Sequence, residues 1–340
     1  MSSAVVRRVL LLGVTAGSLY LLAPALTEVF GSFPDVADLS PLWFAAMVLL
    51  QIGSYACMWA IQKLALRAKR TAPVVTSQLA SNAFGRVVPG GVAAAGALQY
   101  SMLVRAGIQP ARAASGMTAS SLLVFGILLG LPVLALPAII AGAPVDKGLE
   151  RAAIAGGALF ALIFAGGAWA FASDRPLIWL GRAFQAGHNR LLRRREPLID
   201  LPERFVRERN LVRRTLGERW WEALLFAGGR WVLDYMSLLC ALSAVGASPR
   251  PSLVLLAFCA AQALGALPLT PGGLGFVEAG LTGTLALAGV PGGQAVVATL
   301  AYRLVSFWLP IPIGGAAAIV HRRKYGSAEV KEPAPSAGGG

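Results

Sequence analysis

The sequence predicts an all-α integral membrane protein. About six spanning helices and two re-entrant helical hairpins form an inverted-topology repeat. Three observations carry this. Only 14% of the 340 residues are charged, against about 25% in soluble domains, and mean hydropathy is +0.66. The apolar residues fall in runs of the roughly 20 needed to cross a hydrocarbon core of about 30 Å. Two of the apolar segments are interrupted by Pro-Gly-Gly at corresponding places.

Residues 10–30 form the first span. They are longer than a signal-peptide core of about 7–15 residues and no clear small-x-small cleavage motif ends them, so we read them as a retained helix. A polar loop with Asp35 and Asp38 leads to a second span, 41–66, closed by Arg67, Lys69 and Arg70. Residues 73–104 are apolar but broken at Pro89-Gly90-Gly91. Residues 111–141 and 151–172 are further spans. Residues 174–219 hold 12 Arg and 6 acidic residues, with Trp179, Leu180, Phe184, Leu191 and Leu192 between them. That mixture predicts an amphipathic segment on the anionic cytoplasmic leaflet. A span at 220–245 carries Arg230 and Asp234. Residues 252–289 are broken at Pro271-Gly272-Gly273, and 294–320 form the last span. The tail, 325–340, is rich in Pro, Gly, Ala and Ser and is expected to be disordered.

The charges set the orientation. With a cytoplasmic N-terminus the clusters at 67–70, 175–219 and 322–324 all lie inside, as the positive-inside bias requires. Only Lys147, Arg151 and Arg250 of the 30 basic residues then face out. This holds only if each broken segment enters and leaves on one side, the first from the cytoplasm and the second from outside. The expectation is a multi-pass plasma-membrane protein with both termini cytoplasmic. Residues 1–324 make one membrane domain.

The two broken segments repeat. Pro89 stands 17 residues before Ala106-Gly107-Ile108, and Pro271 stands 17 before Ala288-Gly289-Val290. Each is followed by a long apolar helix with internal prolines, Pro132 and Pro137 in one and Pro310 and Pro312 in the other. Repeat one covers about 41–141 and repeat two about 220–320. Folds of this kind place their site near the midplane, between the repeats, where helices break.

Two readings of the breaks stay open. The half-helix after each triplet presents free amides and a positive dipole end, which suit a phosphate. Alternatively, Gly90, Gly91, Gly272, Gly273 and Gly275 simply let helices pack closely. Five charged residues lie within apolar segments: Arg86, Arg230, Asp234, Glu278 and Arg303. Each costs about 2.5–3.5 kcal/mol there, so such residues pair or serve a pathway. Arg230 and Asp234, four apart on one helix, are expected to form a local ion pair. Glu278 is expected either to pair with Arg86 or Arg303, or to take a proton or a cationic headgroup while Arg86 binds phosphate. Asn82 and Gln99 would add hydrogen bonds from the first hairpin.

Other chemistries lack their residues. The sequence shows no nucleophile–base set, no HExxH and no intramembrane histidine, so no enzyme activity is expected. Cys57, Cys240 and Cys259 lie in separate apolar runs, and His188 and His321 lie far apart, which argues against a metal site. No cofactor is expected. The net charge of +14 is explained by the span ends rather than by nucleic acid.

The stretch Asn82-Ala83-Phe84-Gly85-Arg86-Val87-Val88-Pro89-Gly90-Gly91 resembles a signature of the lysylphosphatidylglycerol synthase transmembrane (flippase-like) family. Leu269-Thr270-Pro271-Gly272-Gly273-Leu274-Gly275-Phe276-Val277-Glu278 resembles a second, and Tyr302-Arg303 followed by Pro310 resembles a third. The similarity covers about residues 5–322. It implies a membrane lipid translocator acting on a phospholipid or a polyprenyl-phosphate-type lipid. It places Pro89, Pro271, Glu278, Tyr302 and Arg303 at a lipid or anion site. Bifunctional members carry a soluble aminoacyl-tRNA-dependent transferase domain after this region, which this chain is expected to lack. The alternative is a non-transporting membrane partner of a lipid or cell-envelope synthesis enzyme. A homodimer is the other macromolecular assembly left open.

Overall fold

A computed structural model describes residues 40–88, 91–132, 172–191, 219–266 and 271–326, with scattered positions in 165–169 and 200–210. The expected span at 10–30, most of that at 151–172, residues 133–141, Pro89, Gly90 and the tail beyond 326 lie outside the described residues. In chain order the elements are α1 (Pro41–Ala65), α2 (Ala72–Val87), α3 (Gly91–Arg105), α4 (Pro110–Gly130) and α5 (Arg175–Leu191). There follow α6 (Trp220–Ala244), α7 (Pro251–Ala266), a 3-10 turn (Pro271–Gly273), α8 (Phe276–Leu287) and α9 (Gly292–Arg303). A π-helical stretch (Leu304–Trp308) then leads into α10 (Pro310–Tyr325). No strand occurs among the described residues.

Among the described residues, four helices are long and apolar enough to cross a membrane: α1, α4, α6 and the continuous run Gly292–Tyr325. Proline opens α1 and α4 at the position where a missing N–H costs nothing. Within the last run Pro310 cannot donate to the preceding turn. The helix widens there, so that Leu309 N–H reaches back five residues to the Leu304 carbonyl at 2.9 Å. Leu42, Leu49, Ile52 and Leu225 are more than half exposed, the pattern of a lipid-facing surface. Trp220 and Trp221 are exposed at one end of α6 beside Arg219, where interfacial tryptophans belong.

The broken segments are helical hairpins. α2 has 16 residues and α3 has 15, so each is about 22–24 Å long at ~1.5 Å per residue, too short to cross. α7 and α8, with 16 and 12 residues, are too short as well. α2 packs on α3, and α7 on α8. At the first turn the backbones nearly touch, since a Cβ on Gly91 would lie 1.8 Å from the Gly85 carbonyl oxygen. Gly91 therefore serves close packing.

The two halves repeat their end geometry. α3 and α8 both finish in the same reversed cap: Gly107 (φ 88°) and Gly289 (φ 90°) are left-handed. The amides of Ile108 and Val290 reach back to the carbonyls of Leu103 and Leu285, each at 3.1 Å. α1 and α6 end alike, at Arg67 (φ 47°) and Gly246 (φ 72°). The contacts correspond too: α1 packs on α4 as α6 packs on α9, and α3 meets α4 as α8 meets α9. α1 and α6 lie against each other at the centre. Between them and α4, α7, α8 and α9 sits the main apolar core, with Met47, Ile61, Leu238, Phe258, Leu281 and Leu285 essentially inaccessible.

Of the basic segment 174–219, residues 175–191 are helical and amphipathic. Arg209 pairs with Asp174, tying the segment back to the start of α5.

Candidate functional site

A cavity of about 130 Å³ opens where both repeats meet. α1 contributes Gln51, Ser54 and Tyr55; α2 contributes Gln78, Asn82 and Arg86; α6 contributes Arg230 and Asp234. Gln262 of α7, Tyr302 and Arg303 of α9, and Phe307 of the π-helical stretch complete the polar side. Three of the five intramembrane charges therefore reach it as arginines.

Two of these arginines are left wanting. Arg303 is buried, 7% exposed. Its Nε donates to Glu278 Oε1 at 2.6 Å, but its Nη2 has no hydrogen-bond partner. Arg230 stacks on the Trp231 ring at 4.2 Å, and its buried Nη1 also has none. Arg86 is satisfied: it donates to the Phe307 carbonyl and, at 3.0 Å, to the Tyr55 hydroxyl. The Phe307 ring stands beside both Arg86 (5.0 Å) and Arg303 (4.2 Å). A single aromatic ring thus gathers two cations.

The expected Arg230–Asp234 ion pair is not made. Asp234 instead accepts three neutral hydrogen bonds, from Gln51 Nε2 (2.5 Å) and the Tyr302 hydroxyl (2.9 Å) on Oδ1 and from Gln262 Nε2 (3.2 Å) on Oδ2. The helix favours this outcome because Asp234 faces a ring of donors from α1, α7 and α9, while Arg230 turns onto its neighbouring indole. The carboxylate is saturated, and the guanidinium is not.

Glu278 takes the Arg303 alternative and lies behind Arg303, outside the cavity lining. Its second oxygen accepts the Gly275 N–H at 2.8 Å and caps α8. The protein's own carboxylate thus already occupies the N-terminus expected to bind an anion. Gly273 and Gly275 do not line the cavity either. Gly272 does a different job. It is left-handed (φ 59°), and a Cβ there would lie 2.5 Å from the Phe307 ring and 3.3 Å from the Arg86 carbonyl. The second break is therefore pressed against the arginine–phenylalanine joint, with Pro271 opening the 3-10 turn. Gln99 is drawn elsewhere, donating to Gln62 at 2.9 Å. Asn82 lines the cavity.

Gln51, Tyr55, Gln78, Gln262 and Phe307 escaped the sequence reading. The first four carried a signal: polar side chains inside otherwise apolar runs, with Gln51, Tyr55 and Gln62 on one face of α1. Phe307 carried none. Arg86, Arg230 and Arg303 on the lining are offset by Asp234 beside them and by Glu278 behind Arg303, which leaves one positive charge in excess. With two buried guanidinium nitrogens lacking a protein partner, the arrangement suits a bound anion.

Residues 9–314 match the family described as the lysylphosphatidylglycerol synthase TM region. The curated relatives are described as UPF0104 membrane proteins of Methanothermobacter thermautotrophicus. One is 32% identical over 84 residues, 25% of each chain. Another match is 32% identical over 99 residues, 29% of this chain and 28% of the relative. The matched stretches span about a quarter of those relatives' length. No solved structure matches the chain.

Proposed function

The chain belongs to the lysylphosphatidylglycerol synthase TM-region family, and from that premise we propose that it moves a phosphate-bearing lipid between leaflets. The headgroup phosphate binds in the cavity between the repeats, while the acyl or polyprenyl chains stay in the bilayer. The observation that carries this reading is the pair of buried, unpartnered nitrogens, Arg230 Nη1 and Arg303 Nη2, lining one cavity. An isolated buried cation is costly, and an anion that fills the site removes that cost.

The residues divide the work. Arg230 and Arg303 bind the phosphate. Glu278 holds Arg303 in place, and Asp234 keeps the total charge low enough for the cavity to release its cargo. Arg86 joins the first hairpin to the last helix, so it transmits binding to hairpin movement. Re-entrant hairpins in an inverted repeat supply the two-sided access that such movement requires. α5 lies on the anionic cytoplasmic surface and stays outside the transport path.

The test is transbilayer movement of a labelled phospholipid in vesicles holding the purified protein. Arg303→Ala and Glu278→Gln should each lower the rate at least tenfold. Wild-type rates in both variants would overturn the proposal. They would favour the second role, a non-transporting partner of a lipid or envelope enzyme.

A further inference from the structure

The two repeats match in backbone but not in polarity. α1 carries one polar face that starts in the cavity with Gln51 and Tyr55 and continues with Trp59 and Gln62. Trp59 Nε1 donates to Gln78 Oε1 at 3.0 Å, and Gln62 accepts from Gln99 at 2.9 Å. Gln62, Gln78 and Gln99 are all buried. From Gln51 to Gln62 this face runs about 16 Å at ~1.5 Å per residue, toward the end marked by Arg67, Lys69 and Arg70.

The end caps give the counterparts in repeat two. Gln62 lies five residues before the left-handed Arg67, and Ala241 lies five before Gly246. Gln99 lies eight residues before Gly107, and Leu281 lies eight before Gly289. The Gln62–Gln99 pair thus corresponds to Ala241 and Leu281, both fully buried. Trp59 corresponds to Leu238, likewise fully buried. α7, which stands where α2 stands, buries Ala257, Phe258 and Ala261, and its glutamine, Gln262, donates to Asp234 at the cavity. Repeat one therefore has a polar seam of paired amides running beyond the cavity, and repeat two is apolar at the matching positions, its own α6–α7 polar contacts being Gln262 to Asp234 and Tyr235 to the Pro251 carbonyl.

We infer that this seam is the route by which a polar headgroup reaches the cavity, and that it opens to the side bearing Arg67. The inference rests on the lipid reading above and adds sidedness to it. Paired side-chain amides suit such a route. When the hairpin of α2 and α3 separates from α1, each amide exchanges its partner for water or headgroup oxygens and leaves no buried group unsatisfied. An apolar seam has no such exchange to make. Side-chain amides also join membrane helices purely as glue, so the test separates the two roles.

Cysteines are placed at Gln62→Cys, Gln99→Cys, Ala241→Cys and Leu281→Cys in a chain carrying Cys57→Ala, Cys240→Ala and Cys259→Ala. Sealed vesicles of each orientation are treated with a charged, membrane-impermeant thiol reagent. Gln62→Cys and Gln99→Cys should be modified from the Arg67 side only, and Ala241→Cys and Leu281→Cys from neither side. Modification of the first pair from the opposite side, or from neither, overturns the inference. So does equal modification of the second pair. The double variant Gln62→Leu/Gln99→Leu removes both partners together and should fold normally. It should retain bound phospholipid but move it at least tenfold more slowly. Unchanged movement marks the pair as glue. Loss of phospholipid retention in Arg230→Met or Arg303→Ala tests the anion site separately, so the two failures are distinguishable.

Discussion

Glu278→Gln separates the structural from the transport role of the Glu278–Arg303 pair. In the wild type Glu278 accepts from Arg303 Nε at 2.6 Å and from Gly275 N–H at 2.8 Å, and the paired side chains are only 9% and 12% exposed. Glutamine offers one acceptor oxygen where the carboxylate offers two, so it keeps the Gly275 cap only by turning its NH2 toward Arg303. Both the charge and the Arg303 hydrogen bond disappear. Removing one partner of a buried ion pair costs about 3–5 kcal/mol, because the other charge stays buried without compensation. With the Arg303 hydrogen bond lost as well, the expectation lies toward the upper end, about 5 kcal/mol. The variant also carries a second uncompensated positive charge at the cavity, so an anionic ligand recovers more stability in it than in the wild type. The assay is thermal unfolding in detergent, with and without added anionic phospholipid. The midpoint should fall without lipid, and lipid should raise it by more than in the wild type. A midpoint equal to wild type, or a lipid-induced rise no greater than the wild-type one, would refute the reasoning.

Three further outcomes follow from the same geometry. Arg230→Met removes a buried cation whose Nη1 has no partner, so thermal stability should hold or rise while lipid movement falls at least tenfold. Tyr302→Phe deletes one of three donors to Asp234 and should cost about 1–3 kcal/mol by thermal unfolding, the range for leaving a buried acceptor short. Gly272→Ala meets both a left-handed backbone (φ 59°) and the Phe307 ring. The backbone alone costs about 1–2 kcal/mol, and the displaced ring should also slow lipid movement, read in the same vesicle assay.

The sequence made the larger plan legible because hydropathy and positive charge report directly on bilayer crossing. The α2–α3 and α7–α8 hairpins were readable from the two Pro-Gly-Gly breaks and their equal spacing to Ala106 and Ala288. Arg86, Arg230 and Arg303 stood out because charge within an apolar run is costly enough to need a reason. Their partners were harder to foresee. Spacing of four residues pointed to an Arg230–Asp234 pair, yet tertiary donors from three other helices captured Asp234. The half-helix after Gly275 resembled an anion site, yet Glu278, three residues on, fills it. Both outcomes have one cause. A local rule names a nearby partner, whereas a buried group takes whichever partner the packed helices bring closest. Phe307 was invisible because its importance comes from the widened turn that Pro310 imposes and from the approach of Gly272.

The central claim is that the cavity between the repeats holds the phosphate of a lipid. Mass spectrometry of lipid retained by the purified protein tests it most directly. Wild-type protein should carry a phosphate-bearing lipid in about equimolar amount, and Arg230→Met and Arg303→Ala should lose it while remaining folded. Equal retention in wild type and both variants would contradict the claim.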